Sequence, residues 1–277
     1  LSVATLRVQW AVIQAFKGPW RNLTDPDDLV PRLFRGIINS LAPSVRIFPS
    51  SDMQIVLEAL TKPPFEPLLE VDLKWLTLKT FFLVAITSAR RLGELGALSV
   101  RHPFFRVFQD RIILSTVPSF VPKVRGQFHS MQELILPEFF PIPESDEEVK
   151  LHLLDVKRAF SGYLDRVHTF WKVESLFVTF GLANKGCKPA TSTLSGWVRS
   201  AIIKAYEMES VPLPLGIQGR STRAMSTSVA ELQGASLLEI CRAATWSDSS
   251  TFACHYRIWD NGPLSNNFGY KVLSSVV

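Results

Sequence analysis

The chain has 277 residues, 47% of them hydrophobic and 11% aromatic, enough to bury one large core or one core with a smaller satellite domain, which excludes a disordered chain. Thirty Lys and Arg against 25 Asp and Glu give a formal net charge of +5, with a pI near 9.2, which permits a nucleic-acid partner without demanding one. Cys187, Cys241 and Cys254, three and widely spaced, exclude a disulfide framework and a Cys-x-x-Cys metal knuckle and fit a reducing intracellular compartment.

No Met opens the sequence, and its first six residues already read as a helix start, so a fragment cut inside a domain is expected. Residues 1–43 carry apolar side chains at helical spacing (Leu6, Trp10, Ile13, then Leu33, Ile37, Leu41), split by a Gly18-Pro19 turn and the polar Asn22 to Asp28 stretch. Residues 44–51 have linker composition, and a second domain, 52–277, opens with a helix at Asp52 to Leu60.

Between Val71 and Ile86 apolar residues fall around most of a helical circumference, which predicts a helix central to the core. Its longest apolar stretch, Leu76 to Ile86, is broken by Lys79 and is far shorter than the roughly 20 residues a membrane span needs, so no membrane partner is expected. Phe104 to Phe108, Arg111 to Thr116 and Glu133 to Pro137 read as three short strands, with a polar connection at Val117 to Gln132. Helical periodicity then returns over Ser145 to His168, Ser192 to Glu209, Thr222 to Leu232 and Leu237 to Ala244. The expected fold class is therefore mainly α with a small antiparallel β-sheet.

Four segments carry residue types suited to chemistry. Arg91 and Glu94 follow the buried helix at Arg-x-x-Glu spacing, which by itself describes an ordinary surface ion pair. Lys123 lies in the polar connection, where a lysine is most often simply solvated. Arg220 and Arg223 flank a Ser/Thr-rich helix start, a plausible phosphate seat because free backbone N–H groups and the positive dipole end add to guanidinium charge. Trp246 precedes Tyr256 by ten residues across a Ser/Thr-rich helix entry, a spacing that packing alone would also satisfy.

Taken in this order the four segments resemble the tyrosine recombinase (lambda-integrase) family, from about Asp52 to Trp259. The wording "SARRLGELGALSV", "PSFVPKVRGQFHSMQELILP", "GRSTRAMSTS" and "TWSDSSTFACHYRIW" is similar to the recombinases of DIRS-like, Ngaro-like and Crypton transposable elements, in which Trp commonly replaces the family's second His. The resemblance implies a DNA breaking-rejoining catalytic core preceded by part of a helical core-binding domain. It further implies a double-stranded DNA partner, a homo-oligomer on DNA, a nuclear location, and no small-molecule substrate.

On the same resemblance Arg91 and Arg223 are the two catalytic arginines, Lys123 the general acid, Trp246 a phosphate ligand and Tyr256 the nucleophile, with Glu94 supporting Arg91. Two guanidiniums stabilise the extra charge that attack places on a phosphodiester. A covalent tyrosine stores the energy of the broken strand, so rejoining needs no ATP. No metal or other cofactor is implied, and no carboxylate or His cluster suited to a metal is apparent.

Arg220 departs from the pattern, because the family usually has His three residues before the second arginine. A guanidinium, with a pKa above about 12, cannot accept the tyrosine proton. Two further readings stay open: a recombinase-fold protein that binds DNA without cutting it, and a helical interaction protein in which these residues are packing and surface charge.

Overall fold

The computed structural model describes residues 3–16, 29–40, 51–124, 129, 132–139, 141–219 and 221–258. The Gly18-Pro19 turn, the Asn22 to Asp28 stretch, most of the 44–51 linker and Arg220 lie outside the described residues. The chain divides into two compact units, Leu1–Ile47 and Phe48–Val277. In the first, α1 (Val3–Phe16) and α2 (Leu29–Ser40) pack on one another.

The second unit opens with α3 (Met53–Leu60), started by the Asp52 carboxylate, which accepts from the Gln54 backbone N–H at 2.9 Å. Helix α4 (Leu73–Ser88) is capped in the same way by Asp72, and it buries Leu76 to Ala85 without a break. The near-continuous apolar pattern has its reason here. Around α4 pack α7 (Val156–Val167), α8 (Thr191–Met208), α9 (Ser221–Leu232) and strand β3 (Leu134–Pro137). Phe81 anchors this core edge-on between Phe177 (4.8 Å between ring centroids) and Trp197 (5.6 Å).

The three expected strands form one antiparallel sheet, β1 (Phe105–Val107), β2 (Arg111–Leu114) and β3, in that order. Ile112 faces Val107 and Leu136 across the ladder, and Ile112, Leu114, Leu134 and Leu136 are buried on one face. Arg106, Ile113 and Ile135, one register step away, lie on the other face.

One expectation needs correction. The single helix read over Ser145 to His168 is two, α6 (Asp146–Leu153) and α7. Asp155 breaks it. Its carboxylate accepts from the Arg158 N–H at 2.6 Å, and from the Phe139 N–H, so it caps α7 and ties it to the segment leaving β3.

Lys79 is the polar residue of α4 that periodicity cannot explain. It is fully buried, donates to the Leu60 carbonyl at 2.8 Å and pairs with Glu66, whose carboxylate is also gripped by Arg158 at 2.8 and 3.1 Å. Burial lowers the Lys79 pKa to about 8 despite the opposing pull of Glu66. Burial alone would raise the Glu66 pKa, but Arg158 and Lys79 together bring it below the usual carboxylate value.

Breaking a buried pair from one side leaves an uncompensated charge and costs about 3–5 kcal/mol, so Glu66→Gln should lose about 3 kcal/mol in urea unfolding. Lys79→Met should lose less, since Glu66 keeps Arg158. Between pH 8 and 10.5 the unfolded chain holds a proton that folded Lys79 has released, so stability rises with pH across that window. Lys79→Met should flatten that rise.

Candidate active site

The turn that follows α4 explains where Arg91 points. Helix α4 stops at Ala89, which takes a left-handed φ of 49°. The chain thereby reverses into the four-residue α5 (Leu92–Leu95), with Arg91 at its N-cap. The Glu94 carboxylate accepts from Arg91 Nη1 at 2.8 Å and from the Arg91 backbone N–H at 3.4 Å, which holds the guanidinium in place. Arg-x-x-Glu is thus a half-buried clamp at a helix junction, with the Glu94 side chain only 9% exposed.

Arg90, which the sequence reading passed over, is also part of this turn. Its Nη2 donates to the Glu133 carbonyl at 2.8 Å, just before β3, and its Nη1 lies 4.0 Å from Glu94. Burial pushes its pKa down. Only its adjacency to Arg91 could have flagged it.

Arg223 sits in the first turn of α9 and is 4% exposed. Ahead of it, Gly219 passes so close to α8 that a Cβ would meet Ser195 Cα at 2.8 Å and its carbonyl oxygen at 2.9 Å. Any side chain there would push the entry of α9 away from α8. The Gly219 carbonyl accepts from the Thr222 hydroxyl at 2.8 Å, which ties the first turn of α9 to the segment before it.

Trp246 follows α10 (Leu237–Ala243), whose end is a Schellman turn: Trp246 N–H bonds Cys241 O at 2.8 Å and Thr245 N–H bonds Arg242 O at 3.2 Å. The left-handed residue of that turn is Thr245 (φ 53°), where glycine is usual. Two of the three left-handed non-glycine residues described, Ala89 and Thr245, therefore lead directly into the arginine turn and Trp246. The Ala244 carbonyl accepts Arg223 Nη2, so the end of α10 and the start of α9 are bonded across the site.

Tyr256 closes the short helix α11 (Ser250–His255) as its C-cap. Its ring lies 4.6 Å from that of Trp246, which in turn stacks on Phe252 at 5.9 Å. The Arg223 guanidinium is 4.7 Å from the Trp246 ring and 5.4 Å from the Tyr256 ring. A small apolar cluster of Ala89, Ile240, Cys241, Ala244, Trp246 and Phe252, separate from the main core, supports these rings.

Burial, and then the like charge of Arg91, lower the Arg223 pKa to about 10, while Glu94 and Tyr256 oppose the shift. Arg91, Glu94, Arg223, Trp246 and Tyr256 are thus one electrostatic cluster. Arg223 Nε and Nη1 and Trp246 Nε1 are buried donors without a hydrogen-bond partner among the described residues. Such donors are costly to leave unpaired and fit an oxyanion.

Lys123 is exposed in the β2–β3 connection and forms no hydrogen bond or ion pair among the described residues. The described residues contain no group of three His, Cys, Asp or Glu placed to hold a metal. None of their helices is long and apolar enough to cross a membrane.

No protein-family model and no curated protein matches the sequence. Solved structures do. XerA recombinase is 12% identical with a TM-score of 0.50, over 95% of this chain and 82% of that one. A XerH site-specific recombinase bound to a palindromic difH substrate, a post-cleavage complex, is 12% identical with a TM-score of 0.52, over 82% of this chain. This chain spans 54% of the XerH chain. With its helices around α4, its three-stranded antiparallel sheet and these neighbours, the chain has the fold of the tyrosine recombinases.

Proposed function

We propose that this protein cuts and rejoins double-stranded DNA through a phosphotyrosyl intermediate. The observation that carries the reading is the set of unpaired buried donors, Arg223 Nε, Arg223 Nη1 and Trp246 Nε1, beside the Tyr256 ring. Preorganised, water-excluded donors stabilise the charge that develops on a phosphoryl oxygen and need no reorganisation at the moment of reaction. Arg91, held by Glu94, adds a second cation to the same cluster.

In the reaction the Tyr256 oxygen forms a bond to phosphorus, the P–O5′ bond breaks, and the DNA 3′ end stays on the tyrosine. The phenolic proton passes to solvent water, and the departing 5′ oxygen takes one from Lys123, which is exposed in the β2–β3 connection. Reversal with a new 5′ hydroxyl rejoins the strand. The motif wording supports a role in integrating a transposable element, in the nucleus and as a homo-oligomer on DNA. Residues 1–43 would then be part of the core-binding domain, joined through 44–51 to the catalytic domain, 52–277.

The test uses duplexes of randomised sequence carrying one nick, so that no target need be known. After denaturation, DNA covalently attached to protein is sequenced, and the attached peptide is identified by mass. The expected result is DNA on Tyr256, with binding that weakens steeply as salt rises because phosphate contacts release counterions. Binding indifferent to salt would favour a protein partner.

The second reading, a DNA-binding protein that no longer cuts, rests on Arg220. Arg220→His supplies a proton acceptor and removes a charge three residues before Arg223 in the sequence, so it should speed adduct formation by about 10²-fold, the lower end of general acid–base assistance. An Arg220→His protein that stays inert on DNA cut by an active relative points to decay beyond one position.

A further inference from the structure

The Tyr256 ring is placed by Trp246 and Arg223, but the backbone that carries it is tied down elsewhere, and by α9 itself. The buried Ser228 hydroxyl donates to the Tyr256 carbonyl at 3.2 Å and accepts from the Ile258 N–H at 3.0 Å, bracketing Arg257. Arg257 then reaches back to α9 as a two-toothed fork: Nε donates to Glu231 Oε2 at 3.0 Å, and Nη2 to Glu231 Oε1. Its guanidinium also covers the Phe252 ring at 5.2 Å, one turn before the tyrosine.

The arrangement differs from an ordinary surface pair in three ways. The Glu231 side chain is 11% exposed and that of Arg257 29%, so water screens the bond poorly. The fork geometry fixes direction as well as distance. Ser228 and Glu231 also share one helix face, at i and i+3, on the helix that carries Arg223. One rigid element therefore sets both the cation and the nucleophile's backbone. Phe252 is the one fully buried residue of helix α11.

We infer that Glu231, acting through Arg257, is a positioning residue that holds Tyr256 against Arg223 and Trp246. This rests on the recombinase reading for its consequence, but not for its geometry. A misplacement of about 1 Å can cost about 10²-fold in rate. Glu231→Ala should therefore slow adduct formation about 10²-fold at unchanged salt-dependent DNA affinity. Glu231→Gln, which keeps one acceptor, should lose less, and the exchange Glu231→Arg with Arg257→Glu should recover most of the rate.

The decisive measurement follows the tyrosine itself. With 3-fluorotyrosine incorporated at position 256, the ¹⁹F resonance reports the ring current of Trp246 and the electric field of the Arg223 guanidinium. In Glu231→Ala it should move toward the free-amino-acid position while the thermal unfolding midpoint stays close to the parent's, and the charge exchange should return it. A resonance that does not move in Glu231→Ala overturns the inference, as does a rate loss that the exchange fails to repair while the fold is intact. A resonance that moves and returns in a protein whose parent forms no adduct on any duplex upholds the positioning role and removes the recombinase reading instead.

Discussion

Tyr256→Phe should form no covalent adduct with any nicked duplex, yet bind DNA with the parent's affinity and salt dependence. The substitution deletes one hydroxyl and leaves the ring that packs 4.6 Å from Trp246 and 5.4 Å from the Arg223 guanidinium. The hydrogen bonds that tie this residue to α9 and α11 run through its main chain, the carbonyl to Ser228 and the N–H to Phe252, and phenylalanine keeps both. Folding should therefore be unchanged to within about 0.5 kcal/mol. DNA affinity resides in arginines and lysines, which are untouched. Denaturing gels read the adduct, and a salt titration reads binding. Adduct that survives in the Tyr256→Phe protein would place the nucleophile elsewhere.

Arg223→Ala should cost about 10⁴-fold or more in adduct formation. Loss of a single oxyanion donor costs about 10²–10³-fold, and Arg223 brings two unpaired donors, Nε and Nη1, to the site. Arg223→Lys should recover only part of that loss, because an ammonium is a point charge that cannot reproduce the fork. A binding measurement free of DNA sequence accompanies it. Inorganic phosphate should raise the parent's unfolding temperature by mass action, and Arg223→Ala should lose that response. A phosphate response that Arg223→Ala retains would mean another residue binds the anion.

Much of this protein is legible in one dimension because its signals are local. The polar start at Asp52 and the apolar circumference between Val71 and Ile86 placed α3 and α4 within two residues of where they stand. Two β-rich runs on either side of Gln109-Asp110 gave β1 and β2, and a mainly helical fold with a small antiparallel sheet is expected from the pattern of elements. The split at Asp155 was missed because helical periodicity continues across it. A cap is decided by which backbone donors surround the carboxylate, here those of Arg158 and Phe139.

For the site, residue types and their order along the chain singled out Arg91, Glu94, Arg223, Trp246 and Tyr256 through a resemblance, while their spacings alone described surface pairs and packing. Tertiary structure decided that these five share one cluster, that Lys123 is exposed, and that Arg223 and Trp246 hold unpaired buried donors. It also decided the partners no spacing rule reaches: Glu66 with Lys79 and Arg158, Arg90 with Glu133, and Glu231 with Arg257 across 26 positions. The physical reason is the range of the forces. Capping and periodicity act within a turn or two of the chain and leave their mark on neighbouring letters, whereas desolvation and charge pairing depend on what the fold brings within a few ångströms, and that is set by the packing of α4, α8 and α9 as a whole.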